Sequence, residues 1–295
     1  MLRNSVLKTG CHQLETLSFK NGDVRLHAVG AGPHDGGVVV LLHGFPEFWY
    51  GWRHQIEPLA AAGFRVVVPD QRGYNCSSKP SGTAAYALTE LVSDVIAIAD
   101  ELGQDRIFLA GHDWGAAVGW STAILHSQRI AKLVVLNGPH PSVMRRFLST
   151  RLGQLLRSRY MFFFQLPWLP EAVFSAFDFR IGTRALLQSS RPATFSAEDL
   201  ARYRTAWSQP GALTAMINWY RAAFRTRVTF TDKTVQVPTR ILWGERDAFL
   251  LAAMARESLT YCTNAELFTF PNATHWLQHE ESARVSELLI EFFRG

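Results

Sequence analysis

An aspartate occupies the middle of the segment GHDWG (residues 111–115), which follows a short apolar run. A Gly-x-nucleophile-x-Gly segment between a strand and a helix forms a sharp turn, and small residues must flank it. Gly111, Gly115 and Ala116 meet that need. A carboxylate at the tip suits attack on an sp³ carbon with a strained or good leaving group, because the ester that forms can be hydrolysed. Asp113 is therefore a candidate nucleophile, and the alternative is a simple N-cap of the following helix.

An acid and a histidine follow two later strand-like runs. Asp247 comes after residues 239–245 and His275 after residues 265–271. The chain order nucleophile, acid, histidine is typical of a catalytic triad on such a sheet, in which the acid holds the imidazole tautomer. The alternatives are Glu245, expected at the surface, and His279, expected to be exposed one helical turn beyond His275.

The loop HGFPE (residues 43–47) follows another strand-like run. A glycine followed by a backbone N–H is the usual second half of an oxyanion hole in this arrangement, so the N–H groups of Phe45 and Trp114 are the predicted donors. A cis bond before Pro46 would aim the loop. We expect His43 to pack in the loop without a role in proton transfer.

Continuous apolar runs alternate with helical patterns along the chain, which predicts an α/β fold with a mostly parallel, doubly wound sheet. The predicted strands cover residues 38–44, 65–70, 106–111, 132–138, 239–245 and 265–271. Two earlier runs, 14–20 and 24–30, alternate more and predict an antiparallel edge pair. An apolar stripe within residues 88–103 predicts a helix that ends near Gly103.

The alternation stops between about residues 139 and 237, where aromatic residues and arginine are frequent. This region predicts a mostly helical insertion, here called the cap, between two parts of one core. The predicted domains are a core of residues 1–138 and 238–295 and a cap of residues 139–237.

Composition excludes several classes of protein. The chain of 295 residues is 47% hydrophobic, which is typical of a folded globular protein. The net charge is +5, and the only dense arginine group lies within residues 145–159. A nucleic-acid patch there is less favoured than a solvated helix face. The apolar stretch 160–174 is too short and broken to cross a bilayer, and lining a pocket is favoured over docking on a membrane surface.

The N-terminus and the cysteines indicate the compartment. Residues 1–10 lack the continuous apolar region of a signal peptide. Cys11, Cys76 and Cys262 are odd in number and lack metal-ligand spacing, which favours a reducing compartment without a disulfide framework. The predicted location is the cytoplasm. A homodimer is left open, and no transmembrane segment or nucleic-acid partner is predicted.

Five segments together resemble the epoxide hydrolases of the α/β-hydrolase fold, of the soluble bacterial type. They are residues 43–55 (HGFPEFWYGWRHQ), 70–80 (DQRGYNCSSKP), 111–115 (GHDWG), 244–249 (GERDAF) and 274–276 (THW). The family also uses two cap tyrosines as acids. Tyr160, four positions before a Phe-Gln pair, and Tyr220, in an Asn-Trp-Tyr-Arg context, match them. The sequence departs from the family pattern at Asn75, which stands where many relatives have glycine. The loop can keep its shape because Asn adopts the left-handed conformation.

The resemblance implies an epoxide hydrolase, with a role in detoxification. Asp113 would form a covalent ester with the epoxide, and water activated by His275 would then release a vicinal diol. Neither a metal nor an organic cofactor is implied. The expected substrate is a small apolar epoxide, since no arginine adjoins Asp113 and the cap is aromatic. The predicted substrate-binding residues are Phe45, Trp114, Phe164, Trp168 and Trp276.

Three other functions remain as alternatives. A haloalkane dehalogenase would use the same aspartate, acid and histidine, but a halide leaves without a proton and needs no tyrosine acid. A carboxylesterase is disfavoured because Asp113 is not a serine. A binding protein without activity is disfavoured, because a binding role alone would not require all five candidate catalytic residues.

Overall fold

The computed structural model describes residues 8–9, 12–226, 228 and 230–295; Cys11 therefore lies outside the described residues. One sheet of eight strands organises the molecule. Residues Lys8–Thr9 and His12–Gln13 form a separate short antiparallel pair. The sheet contains β1 (Glu15–Asn21), β2 (Val24–Ala31), β3 (Val38–Leu42), β4 (Arg65–Pro69), β5 (Ile107–His112), β6 (Ile130–Leu136), β7 (Thr239–Gly244) and β8 (Ala265–Phe270).

The strand order is β8-β7-β6-β5-β3-β4-β2-β1. Strands β3 to β8 run parallel, whereas β1 pairs antiparallel with β2, and β2 pairs antiparallel with β4. The predicted mostly parallel sheet and its antiparallel edge pair are confirmed. The order reverses at β3, which lies between β4 and β5, and such a point brings loops together at the carboxyl ends of strands.

Burial along the strands follows their position in the sheet. Every residue of β3, β4 and β7 is buried, as expected for strands covered by helices on both faces. Strand β8 is only partly buried, because it lies at the edge of the sheet.

Helices cover the sheet. Helices α1 (Arg53–Ala61) and α12 (Ser282–Arg294) pack against each other, as do α2 (Leu88–Glu101) and α3 (Trp114–Leu125). The predicted stripe on α2 is buried through Leu91, Val92, Val95 and Ala99, and Gly103 follows the helix with φ +64°. The helices of the core are α1 (Arg53–Ala61), α2 (Leu88–Glu101), α3 (Trp114–Leu125), α10 (Ala253–Leu259), α11 (Leu277–Glu280) and α12 (Ser282–Arg294).

Further helices lie between β6 and β7, where the sequence predicts the cap. They are α4 (Pro141–Thr150), α5 (Leu152–Arg157), α6 (Arg159–Phe163), α7 (Leu169–Ser189), α8 (Ala197–Trp207) and α9 (Ala212–Arg225). Helix α7 has a kink at residues 176–179. Their position supports our proposed division into a core of residues 1–138 and 238–295 and a cap of residues 139–237. Among the described residues, no helix combines the length and the apolar character needed to span a bilayer.

Candidate active site

Asp113 lies at the turn between β5 and α3 with φ +53° and ψ −115°. The turn is crowded. A Cβ atom added at Gly111 would lie 2.2 Å from the carbonyl oxygen of Gly115, and one added at Gly115 would lie 2.2 Å from that of Leu42. Side chains at these positions would therefore force the turn open, as the sequence predicts.

The loop after β3 contacts the Asp113 carboxylate because β3 and β5 are neighbours in the sheet. The backbone N–H of Phe45 donates to Asp113 Oδ1 over 2.9 Å. Trp114, the first residue of α3, has a backbone N–H at a helix N-terminus, where it lacks an intrahelical acceptor. The Phe45–Pro46 peptide bond is cis. The predicted oxyanion donors thus follow adjacent strands, and their joint use stays a prediction.

His275 lies between two carboxylates. Its Nδ1 is 2.7 Å from Asp247 Oδ2, and its Nε2 is 3.6 Å from Asp113 Oδ2. Both His275 and Asp247 are buried. The structure therefore brings together the three residues predicted from three separate strand ends.

Asp247 receives several donors beside the imidazole. Its Oδ2 accepts from Asn137 Nδ2 over 2.8 Å. Its Oδ1 accepts from the N–H groups of Phe249 and Leu250 over 2.7 and 2.9 Å. Four donors around a buried carboxylate stabilise its charged form.

The two ionisable partners shift each other's pKa. Burial alone would raise the pKa of Asp247, but the charge and hydrogen bond of His275 and the amide of Asn137 hold it below the ordinary value. Burial alone would lower the pKa of His275, but the charge and hydrogen bond of Asp247 and the charge of Asp113 raise it to about 9. His275 is therefore mainly protonated at neutral pH.

A cavity of about 640 Å³ opens above Asp113 and His275, and both cap tyrosines line it. The rings of Tyr160 and Tyr220 have centroids 5.7 Å apart. Burial, followed by the charge of Asp113, raises the pKa of Tyr160; burial, followed by the charges of Tyr160 and Asp113, raises the pKa of Tyr220. Both phenols therefore keep their protons at neutral pH and can donate hydrogen bonds into the cavity.

The predicted substrate-binding residues divide into two groups. Phe45, Phe164 and Trp276 line the cavity. Trp114 lies behind the lining, with its ring centroid 5.1 Å from that of Tyr220. Trp168 is 72% exposed and is not among the described lining residues, so the prediction for Trp168 is wrong. Its place at the start of α7 turns the ring to solvent.

Other cap aromatics also divide between the cavity and the solvent. Phe163 and Phe174 line the cavity, whereas Phe162 and Phe177 are exposed. An aromatic residue in an apolar stretch faces the cavity or the solvent depending on how its helix packs, and composition does not encode that choice.

The alternative acid and base lie elsewhere. Glu245 is exposed, as expected. His279 is buried, contrary to the expectation, and its Nε2 is 2.7 Å from Glu47 Oε1. Its Nδ1 is 2.9 Å from Arg53 Nη1. The short helix α11 turns His279 inward to Glu47 and Arg53 rather than outward.

His43 packs as expected. It is buried, its Nδ1 is 2.9 Å from the Gly44 carbonyl, and its Nε2 accepts from the Gln71 N–H over 3.0 Å. Asn75 has φ +38°, as its tolerance of the left-handed conformation predicts.

Sequence reasoning missed two supporting residues. Asn137 directly follows β6, so the inspection of strand ends that found Asp247 could have found it. Gln154 lies on α5, and its amide bonds the Phe249 carbonyl over 2.8 Å and the Leu251 N–H over 3.0 Å. A lone glutamine in a cap helix gives no signal of that contact.

The comparisons with known proteins agree with this geometry. The model of the alpha/beta hydrolase fold family matches residues 37–282. The AB hydrolase superfamily protein YfhM of Bacillus subtilis is 44% identical over 92% of this chain and 95% of its own length. Human epoxide hydrolase 4 is 37% identical over 99% of this chain and 81% of its own length. A crystal structure of Bacillus megaterium epoxide hydrolase in complex with an inhibitor has a TM-score of 0.87 and 29% identity, covering 95% of this chain and 100% of that one. The chain therefore belongs to the α/β-hydrolase fold family and, within it, to the epoxide hydrolases.

Proposed function

We propose that this protein hydrolyses an apolar epoxide to a vicinal diol through a covalent ester on Asp113. The main support is one juxtaposition. The Asp113 carboxylate lies 3.6 Å from His275 Nε2, and the phenols of Tyr160 and Tyr220 line the same cavity. Nucleophile, base and ring-oxygen acids thus share one apolar space.

The first step opens the ring. An Asp113 carboxylate oxygen attacks an epoxide carbon, and the bond between that carbon and the ring oxygen breaks. Tyr160 and Tyr220 hydrogen-bond the ring oxygen, and one of them transfers its proton to the developing alkoxide. The result is a hydroxyalkyl ester of Asp113 and one tyrosinate.

The second step hydrolyses the ester. Esterification removes the negative charge beside His275 Nε2, so the pKa of His275 falls from about 9. The imidazolium then gives its proton to the tyrosinate, which restores the tyrosine and leaves the imidazole as a base. It takes a proton from water, and the hydroxide attacks the ester carbonyl carbon of Asp113. The N–H groups of Phe45 and Trp114 hold the oxyanion, a contribution of about 3 kcal/mol per donor. The expelled alkoxide takes the proton from His275, and the regenerated Asp113 acid gives its proton to His275, which restores the carboxylate and the imidazolium of the resting protein.

Trapping the ester tests the covalent route. In His275→Gln the first step can proceed and the second lacks its base, so incubation with a styrene-type epoxide should add the mass of one epoxide to the protein. Intact-mass spectrometry measures the adduct, and peptide mapping should place it on Asp113. The matched control is the double variant Asp113→Asn/His275→Gln. An absent adduct while the wild-type protein forms diol would disprove the covalent route.

Product assays of the wild-type protein on an epoxide panel and a haloalkane panel separate the remaining alternatives. A haloalkane dehalogenase would release halide from a haloalkane panel, and the two phenols beside the nucleophile give such an enzyme no advantage because a halide leaves without a proton. Tight apolar binding without diol or halide would indicate a binding protein. Cytoplasmic location, a role in detoxification and the open question of a homodimer stay predictions from the sequence.

A further inference from the structure

Exposed apolar side chains concentrate in one part of the cap. Of eleven large hydrophobic residues that are exposed among the described residues, nine lie within residues 152–187. The most exposed are Phe177 at 83%, Trp168 at 72% and Leu152 at 69%. Single exposed apolar residues are ordinary, but such a concentration on a soluble surface marks an interaction site.

The positive charge concentrates in the same part of the chain. Residues 141–190 contain seven arginines and two acidic residues, Glu171 and Asp178, and this excess of five equals the net charge of the whole chain. All seven arginines are exposed. The segment therefore combines exposed apolar and cationic side chains, although one of the arginines, Arg146, pairs with Glu257.

Part of this segment borders the cavity. The lining includes Leu156 and Arg157 of α5, Arg159 of α6 and Ile181 of α7, and all four are exposed. Residues that both line the cavity and reach solvent form its mouth. We call the exposed apolar residues and arginines of residues 141–190 the mouth surface.

The kink in α7 presents a phenylalanine to solvent. Phe177, Asp178 and Phe179 have φ values of +53°, +55° and +59°, which residues other than glycine adopt rarely. Phe179 packs against Phe174 and Trp207, with its ring centroid 6.3 and 5.9 Å from theirs. The side chain of Phe177 is instead mostly exposed to solvent. A strained segment that exposes a phenyl ring is unfavourable in water unless the ring has a partner.

We propose that the mouth surface docks on an anionic lipid bilayer. Exposed Leu, Phe and Trp side chains enter the boundary between headgroups and acyl chains, while arginines contact lipid phosphates. A symmetric dimer through this surface would bring the arginine-rich patches of two copies into one interface, and the repulsion between them disfavours that occupant. Nucleic acid would not bury the leucines and isoleucine. The docked mouth would face the bilayer, and the consequence that an apolar epoxide enters from the lipid rests on the proposed function.

Flotation with vesicles tests the proposal on the full chain. The wild-type protein should float with phosphatidylcholine vesicles that contain phosphatidylglycerol, and high salt should release it. Arg145→Glu/Arg184→Glu should lower the partition coefficient at least about tenfold, and Leu152→Ser/Phe177→Ser at least about fivefold. The charge-matched control Arg25→Glu/Arg284→Glu, on β2 and α12, and the apolar control Leu125→Ser should float like the wild type.

Diol formation from a water-dissolved epoxide should be the same in all these variants and the wild type, which shows that they fold. Absent flotation of a folded wild type, or equal flotation of wild type and both mouth-surface variants, would overturn the proposal. So would loss of flotation in the arginine variant alone, since that indicates adherence by charge without insertion. Self-association in sedimentation velocity that only the mouth-surface variants lose would assign the surface to a second copy. Absent diol formation, with flotation retained, would refute the proposed function and leave the docking intact.

Discussion

At the scale of single residues, the site depends on how the charges of Asp113, His275 and Asp247 are arranged. The Asp113 carboxylate accepts from the Phe45 N–H on one side and faces His275 Nε2 on the other. Asp247 holds the opposite imidazole nitrogen. Two carboxylates around one imidazole favour imidazolium in the resting protein, and alkylation of Asp113 removes one of them. In the proposed reaction, the alkylation of Asp113 therefore prepares His275 to act as the base.

The raised pKa of His275 predicts a pH dependence of stability. Its pKa rises from 6.5 to about 9 on folding, so its contribution to the free energy of unfolding is fully present below pH 6.5. The contribution, about 3 kcal/mol, is lost as the pH rises through about 9. Urea unfolding of the wild type and His275→Gln across this range should show the difference between them shrinking. A difference independent of pH would contradict the pKa shift.

The cap tyrosines predict a loss in ring opening rather than in ester hydrolysis. Tyr160→Phe and Tyr220→Phe each remove one hydroxyl from the cavity and keep the ring, so each should slow ester formation about a hundredfold. Rapid-quench mass spectrometry in the His275→Gln background measures that step alone. Tyr50→Phe, whose hydroxyl bonds Asp199 outside the described cavity lining, is the control. Unchanged rates in both cavity variants would exclude the phenols as acids.

At the scale of elements, strand ends and one cap helix together hold the acid. Asp247 lies in the loop after β7, and Asn137 after β6 donates to it. Gln154 of α5 joins the same loop to the cap through the Phe249 carbonyl and the Leu251 N–H, and it also bonds Ser158 Oγ over 2.9 Å. The loop that orients His275 is thus fixed from both the core and the cap.

Gln154 is accordingly predicted to act as a positioning residue. Gln154→Met keeps the side-chain length and leaves the Phe249 carbonyl and the Leu251 N–H without partners, which should lower the free energy of unfolding by about 1–3 kcal/mol. Looser donors around Asp247 should also lower kcat more than they change KM. Steady-state kinetics and urea unfolding measure both effects, with Gln104→Met, a surface amide bonded to the Leu102 carbonyl, as the control. A stability loss with unaltered kcat would leave Gln154 a purely structural residue.

At the scale of the whole molecule, a buried carboxylate connects the cap to the core. Glu47, in the loop after β3, accepts from Tyr203 of α8 over 2.7 Å and from Gln278 of α11 over 2.9 Å. It also contacts His279 and His112. Burial would raise the pKa of Glu47, but His279 and His112 hold it well below the ordinary value. The Glu47 carboxylate therefore joins helix α8 of the cap to helix α11, which follows His275 in the chain.

We predict that removing the hydrogen bond from Tyr203 of the cap to Glu47 lowers the free energy of unfolding. Tyr203→Phe deletes a hydrogen bond to a buried carboxylate, so urea unfolding should show a free energy lower by about 2–3 kcal/mol. Tyr86→Phe deletes a bond to the neutral Pro80 carbonyl and should lose about 1 kcal/mol. Equal losses in the two variants would mean that the charge of Glu47 adds nothing to the contact.

Local patterns were enough to find the nucleophile, the acid and the base. Small residues around Asp113, and polar residues directly after β7 and β8, have meanings set by strand and turn geometry. The strands were likewise predictable because continuous apolar runs encode burial on both faces. Tyr160 and Tyr220 needed the family resemblance, since a tyrosine in an apolar helix usually packs in the core.

Sequence by itself therefore determined the sheet and the order of the residues that follow its strands, because each is encoded within a few neighbouring positions. Only the tertiary structure decided that His279 turns inward to Glu47, that Gln154 reaches the loop of Asp247, and that Trp168 and Phe177 face solvent. These outcomes depend on how helices distant in sequence pack against one another. A helical stripe specifies that one face is covered, and the partner that covers it is chosen by the assembled fold.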